Sequence, residues 1–309
     1  MNAEAGTVSE SGRHGPDIDP RRLAEAYRYC ESLARSHYEN FPVASRLLPP
    51  RLRRPVAVIY AFARRADDYA DEGDPDPRRR LALLADWQAR LEQVRAGRVP
   101  LEEPVFVALA DVVARHALPW ALFEDLLSAF RQDVVKRRYA CFDEVLDYCR
   151  RSANPIGRLL LHLHGSPGET ALRRADAICT ALQLINFLQD IAQDQAENDR
   201  IYLPQDEMAR FGITDADIAA RRDDDAMRAL LRHQIRRIRA MLDDGAPLAW
   251  ALGGRLGLEL RFTVGGAWRI LARLEQAPSC YARPRLTPLD WLGIAGRSLR
   301  PAWFAPGRH

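Results

Sequence analysis

Lysine is almost missing from this chain: Lys136 stands alone among 45 basic residues, the rest being arginine. The arginine bias is what a GC-rich genome produces. It is no nucleic-acid signature, because 42 acidic residues are interspersed with it and the net charge is only +3. Binding to nucleic acid calls for a basic excess gathered on one face. Long apolar runs are also missing. No stretch of about 18 uncharged apolar residues exists, so no transmembrane helix is expected. Met1 to Pro20 is polar and carries no apolar signal-peptide core, so no secretory signal is expected either. Cysteine is scarce and scattered. Cys30, Cys141, Cys149, Cys179 and Cys280 are odd in number and form no CxxC pair. That pattern argues against a disulfide framework and a zinc site and favours a reducing cytoplasm. Period-two strands, a strand followed by a glycine-rich turn, and repeats of fixed period are all wanting.

What remains is helix after helix. Apolar residues recur at helical spacing over Arg21 to Ser36, Pro55 to Asp71, Arg78 to Ala96, Pro104 to His116 and Trp120 to Lys136. Phe142 to His164 continues the pattern, with a kink expected at Asn154-Pro155, because proline removes one backbone bond and crowds the preceding turn. Glu169 to Asp194 reads as a long, mostly apolar helix. Ile201 to Gly212 reads as a loop-rich connection. Asp223 to Asp244, Pro247 to Gln276 and Pro288 to Leu299 complete the series. About ten helices with short connections predict one all-α domain over 21–300, with disordered tails at 1–20 and 301–309.

Two groups of carboxylates stand out in these apolar helices. In Asp67-Asp68-Tyr69-Ala70-Asp71-Glu72, the i, i+3 and i+4 spacing lets Asp67, Asp68 and Asp71 face one side. In Asn186-Phe187-Leu188-Gln189-Asp190-Ile191-Ala192-Gln193-Asp194, the residues Asn186, Asp190 and Asp194 again share a face. One such row alone is most simply a solvated helix end. Two rows on separate apolar helices are a stronger signal, since buried carboxylates repel unless cations neutralise them. Hard oxygen donors with room for phosphate oxygens suit Mg²⁺. Rows facing each other would clamp a diphosphate, and the apolar helices below would hold a hydrocarbon and shield a carbocation from water. Arg64, one turn before Asp67, together with Arg200 and Tyr202 after the second row, adds donors for an anionic leaving group.

These stretches resemble the squalene/phytoene synthase family of head-to-head prenyl synthases. The resemblance rests on Tyr60-Ala61-Phe62-Ala63-Arg64 running into the first row, on Leu182-Gln183-Leu184-Ile185-Asn186 running into the second, and on Arg200-Ile201-Tyr202-Leu203-Pro204. It extends from roughly Tyr27 to Leu274. It implies an all-α isoprenoid-synthase bundle with a central cavity, and Mg²⁺ held by Asp67, Asp68, Asp71, Asn186, Asp190 and Asp194. Arg64 and Arg200 would then bind diphosphate. His37, Tyr60, Tyr148, Gln183, Gln189 and Tyr202 would line the substrate site, and Asp133 would be a polar group deeper in, matching an acidic residue before the Tyr148-Cys149 pair.

Departures from the family pattern narrow the expectation. Tyr38-Glu39-Asn40-Phe41-Pro42 replaces a serine-rich anion loop, Gln189 replaces an arginine, and Ala153-Asn154-Pro155-Ile156-Gly157 replaces an Ala-Gly-Thr-Val-Gly run. Fewer positive charges suit one diphosphate better than two. His37 to Ser45 and Asn186 to Asp190 resemble the branch that converts presqualene diphosphate to hydroxysqualene on the route to hopanoids, with water as the nucleophile and no NADPH. Either Gln189 or Asn154 would position that water. The alternatives are a synthase joining two farnesyl or geranylgeranyl diphosphates, and a non-catalytic helical assembly factor. Such substrates imply a cytoplasmic enzyme near the membrane face and neighbouring squalene-pathway enzymes. Arg297 to Arg308, with Trp291 and Trp303, is either a contact with anionic lipid or a loose tail.

Plainer roles are expected elsewhere. His162 and His164 point about 200° apart on a helix and do not share a metal. Gly253 to Gly257 marks a helix break, Gly265-Gly266 a close helix contact, and Asp223-Asp224-Asp225 a helix N-terminus. Phe123, Phe130, Phe187 and Trp268 belong mostly to the core, with one or more of them a candidate to face a cation.

Overall fold

The computed structural model describes residues 18–36, 47–71, 76–165 and 167–298. His37 and the Tyr38 to Pro42 motif, Glu72, the first 17 residues and the tail after Ser298 lie outside the described residues. The described residues form helices and no strand. None of these helices is long and apolar enough to cross a membrane.

The first layer contains α1 (Pro20–Ser36), α2 (Pro50–Asp71), α3 (Pro77–Arg95), α4 (Pro104–His116) and α5 (Trp120–Val135). Proline at the first helical position starts several of them, where its missing N–H costs no bond. Asp76 caps α3 by accepting from the Arg78 amide at 2.9 Å. Helix α1 packs on α2 and α4, and α2 on α5. Their shared core is aromatic. Phe62 meets Trp87, Phe106 and Phe123, with centroids 5.3 to 6.0 Å apart, so Phe123 is core as expected.

The expected kink splits one predicted helix into α6 (Phe142–Ser152) and α7 (Asn154–His164), with Pro155 in the first turn of α7. Helix α7 is the seam of the molecule. Its Leu159 and Leu163 pack into the first core and its Leu161 into the second. That second core is built on α8 (Glu169–Asn198), which runs four residues beyond the expected Asp194. The connection expected to be loop-rich carries two short helices, α9 (Gln205–Arg210) and α10 (Asp215–Ala219). The local signal for α10 is a capping box, in which Thr214 and Asp217 satisfy each other's backbone amides.

Helix α11 (Asp225–Gly245) lies along α8, and Asp224 caps it by accepting from the Met227 amide at 3.0 Å, as the aspartate run predicts. The Pro247 to Gln276 stretch is two helices, α12 (Leu248–Ala251) and α13 (Gly254–Glu275). The break falls at Gly253 and Gly254, both with φ in the left-handed region, at 60° and 51°. Helix α14 (Pro288–Ser298) packs on α13 near Gly266, where a side chain would meet Leu286.

Candidate active site

The first carboxylate row ends α2. Arg64 reaches forward along its own helix, with its Nη1 3.3 Å from Asp67 and its Nε 2.7 Å from Asp68. Tyr60 sits one turn before Arg64 on the same face. Arg80 of α3 donates to the carbonyls of Ala70 and Asp71, closing the helix end with a cation where the dipole favours one.

The second row lies on α8, and its carboxylates are under more strain. Burial pushes the Asp190 carboxyl above its ordinary range, against the pull of Arg283. Burial and then the neighbouring charge of Asp190 push Asp194 up to about 7, with Asp71 adding to the repulsion across the site. Asn186 and the half-buried Gln183 continue the same face toward the helix N-terminus.

One arginine joins the rows. Asp199 ends α8 in the left-handed conformation and turns the chain so that the Arg200 amide donates to the Asp194 carbonyl at 3.0 Å. Arg200 is only 4 % exposed. Its guanidinium lies 3.5 Å from Asp71, donates to the Asp133 carbonyl at 2.6 Å and reaches the Tyr202 hydroxyl at 3.1 Å. Asp133, on α5, is 5 % exposed and accepts from the Tyr148 hydroxyl at 2.7 Å. Burial raises its carboxyl to about 7 although Arg200 opposes the shift. Around this knot, Phe187 and Tyr202 stack with centroids 3.6 Å apart, and Tyr148 and Tyr139 pack against Tyr202 at 5.6 and 5.4 Å. Phe187, expected to be mostly core, is thus part of the site wall as well.

Contacts thus bring Asp71, Asp133, Tyr148, Asp194, Arg200 and Tyr202 together, with Asp67, Asp68 and Arg64 beside Asp71 on α2, whereas Tyr60, Gln183 and Asn186 are placed only by their helix faces and Gln189 instead donates to the Pro284 carbonyl at 2.7 Å. Sequence reasoning missed Arg283. It lies between α13 and α14, with its Nε 2.6 Å from Asp190 and its Nη1 donating to Gln193 at 3.0 Å. Ninety-three residues separate Arg283 from Asp190. No local pattern links them, and among so many arginines composition gives no pointer.

An apolar pocket opens between α7, α8, α12 and α13. Leu160, Leu161, Ile178, Leu182, Leu252 and Leu256 form much of its wall. Leu182 precedes Asp190 by two helical turns, about 12 Å along the axis. A polar, doubly acidic mouth two turns along α8 from an apolar chamber suits an amphiphile with an anionic head and a hydrocarbon tail.

Among the described residues, no three His, Cys, Asp or Glu side chains converge closely enough to hold a metal by themselves. Arginines instead stand beside the carboxylates. The donor chemistry still fits a hard divalent cation. Every candidate ligand is an oxygen, and added positive charge would offset both the burial of Asp194 and the like charges of Asp190 and Asp71 beside it.

The helical bundle and its paired carboxylate rows define a protein of the isoprenoid-synthase type. The chain belongs to the squalene/phytoene synthase family, whose model matches residues 34–291, and it is an enzyme of that head-to-head prenyl synthase group. It is 37% identical over 255 residues to a hydroxysqualene synthase of Rhodopseudomonas palustris, covering 82% of this chain and 85% of the relative. It is 36% identical over 225 residues to the chloroplastic phytoene synthase 3 of Zea mays, covering 71% of this chain and 52% of the relative. Among solved structures, squalene synthase HpnC from Alicyclobacillus acidocaldarius superposes with a TM-score of 0.78 at 37% identity, covering 85% of this chain and 97% of the other.

Proposed function

We propose that this enzyme converts presqualene diphosphate to hydroxysqualene. The observation that carries the reading is the likeness to a hydroxysqualene synthase, 37% identical across more than four fifths of both chains. Gln189 does not enter the charge balance of the row: its amide donates to the Pro284 carbonyl, and Arg283 is the cation beside Asp190.

The substrate's diphosphate would lie between the rows, with Arg64 and Arg200 donating to its oxygens. Mg²⁺, held by Asp67, Asp68, Asp71, Asn186, Asp190 and Asp194, would supply the charge that makes diphosphate a good leaving group. The carbon–oxygen bond breaks with its electron pair going to diphosphate. The cyclopropylcarbinyl cation rearranges to an allylic one, and water adds to it. Phe187, Tyr148 and Tyr202 pack on one another beside Arg200 and form an aromatic wall near the mouth. The apolar chamber keeps bulk water from the cation. No hydride donor enters this balance, so no NADPH is required. The long, nearly water-insoluble alcohol product favours work at a membrane surface, where Leu289, Trp291 and Leu292 of α14 present exposed apolar side chains.

The test is incubation of the purified protein with presqualene diphosphate and Mg²⁺, without nicotinamide cofactor, and mass spectrometry of the extracted lipid. Hydroxysqualene is the expected product. No turnover of that substrate, with product formed from two farnesyl or geranylgeranyl diphosphates, would make the enzyme a condensing synthase instead.

A further inference from the structure

Water capture needs a water held inside a wall of hydrocarbon, and one buried polar pair is set into the contact between α7 and α8. Asn154 opens α7 and is 7 % exposed; Thr180, on α8, is also 7 % exposed. The Thr180 hydroxyl donates to Asn154 Oδ1 at 2.9 Å. This bond fixes the amide, and it leaves Asn154 Nδ2 with no hydrogen-bond acceptor among the described residues. Asn154 Nδ2 is not sealed from solvent, and an ordered water is the usual partner of an amide N–H that no protein group accepts. The kink does not explain the residue, because Pro155 already supplies it.

The pair adjoins the apolar pocket, one residue step from its wall. Gly157, one turn after Asn154, lines the apolar cavity, as do Cys179 and Leu182 on either side of Thr180. A side chain at Gly157 would run into Cys179 Sγ, so the two helices approach closely here and leave little freedom in the pair. On α8, Thr180, Gln183, Asn186, Asp190 and Asp194 fall within an arc of about 120°, so Thr180 is the floor of the polar stripe that begins at the carboxylates.

We infer that Asn154, oriented by Thr180, positions the water that captures the rearranged cation, an inference that rests on the reaction proposed above. Asn154 Nδ2 donates to one lone pair of the water, and the other lone pair forms the new carbon–oxygen bond. The proton released goes to the departed diphosphate, which already holds the electron pair of the broken bond. Without a held water, the same cation loses a proton to diphosphate and leaves as a hydrocarbon.

The experiment measures the ratio of alcohol to proton-loss hydrocarbon made from presqualene diphosphate and Mg²⁺ in ¹⁸O-water, with diphosphate release followed in the same tubes. The wild-type enzyme is expected to give hydroxysqualene carrying ¹⁸O. Asn154→Leu is expected to lower the alcohol-to-hydrocarbon ratio by about fivefold or more, the worth of roughly one hydrogen bond. Thr180→Val, a near-isosteric change that keeps the helix contact, is expected to shift the ratio the same way by a smaller factor. Asn154→Ser, which keeps a donor, is expected to recover part of the alcohol. Diphosphate release at an unchanged alcohol ratio in both Asn154→Leu and Thr180→Val overturns the assignment while leaving the reaction in place. A wild-type enzyme that makes no labelled alcohol from presqualene diphosphate overturns the reaction and the assignment together.

Discussion

The two carboxylate rows meet at Arg200, yet they are neutralised in opposite ways. The first row carries its own counter-ion. Arg64 lies three and four residues before Asp67 and Asp68 and pairs with both along one helix face. The second row depends on residues far along the chain or beyond its own helix: Arg283 from the α13–α14 connection and Arg200 from the turn after α8. The consequence is electrostatic. Asp194, with no arginine of its own helix beside it, is lifted to about 7 by burial and by Asp190. A row with a local partner is stable wherever its helix forms. A row whose charge is balanced only by the fold stays poorly neutralised, and it is the one that gains most from an added cation.

The largest expected effect breaks the second row outright. Asp190→Ala should lower turnover by about 10³-fold while circular dichroism stays helical, because a charge-stabilising group at a leaving anion is worth that much. Full activity in that variant would remove the row from the chemistry. Asp67→Ala tests whether the first row acts in the same step, with a loss of similar size expected.

The next effect separates the two kinds of arginine. Arg200 is buried and tied to Asp71, Asp133 and Tyr202, so Arg200→Ala should cost about 3 kcal/mol in urea unfolding. Arg64 is itself only 12% exposed, but water reaches its partners, Asp67 at 37% and Asp68 at 21%. Arg64→Ala should therefore cost less than Arg200→Ala, about 1 to 2 kcal/mol. Equal losses would mean that the rows are not held differently.

Smaller again is the effect of Arg283, whose side chain is 45% exposed. Arg283→Ala should leave the unfolding midpoint nearly unchanged and alter the half-saturating Mg²⁺ concentration by a few fold, since Asp190 loses its neighbour. A titration of activity against Mg²⁺ reads this directly.

The smallest effect is a pH slope. Asp133 titrates near 7 in the folded chain because of burial, and near about 4 when unfolded. The folded state therefore holds this proton more tightly. The stability it contributes is fully present below about pH 4 and is lost as pH rises through about 7. Asp133→Asn should make the fall of unfolding free energy between about pH 5 and pH 7 shallower, by at most about 1.4 kcal/mol per pH unit. An unchanged slope would place the titration elsewhere.

Much of this molecule is legible in the order of its residues. Helical periodicity, proline starts and aspartate caps determined the all-α fold, and Pro155 determined the break between α6 and α7. The spacing of Asp67, Asp68 and Asp71 and of Asn186, Asp190 and Asp194 determined the two rows, because the helix period alone fixes which side chains share a face. Two other features were not legible. The short helices α9 and α10 lie below the length at which periodicity speaks, and the exact division at Gly253 needed φ values that sequence does not give. What only the tertiary structure decided is which distant groups meet the rows: Arg200 across to Asp71 and Asp133, Arg283 over Asp190, Gln189 on the Pro284 carbonyl, and Thr180 against Asn154. Each is a contact between different elements, joining residues from 26 to 129 positions apart in the chain. Local spacing orders side chains within one helix, whereas only packing brings two helices close enough for a hydrogen bond or an ion pair to form.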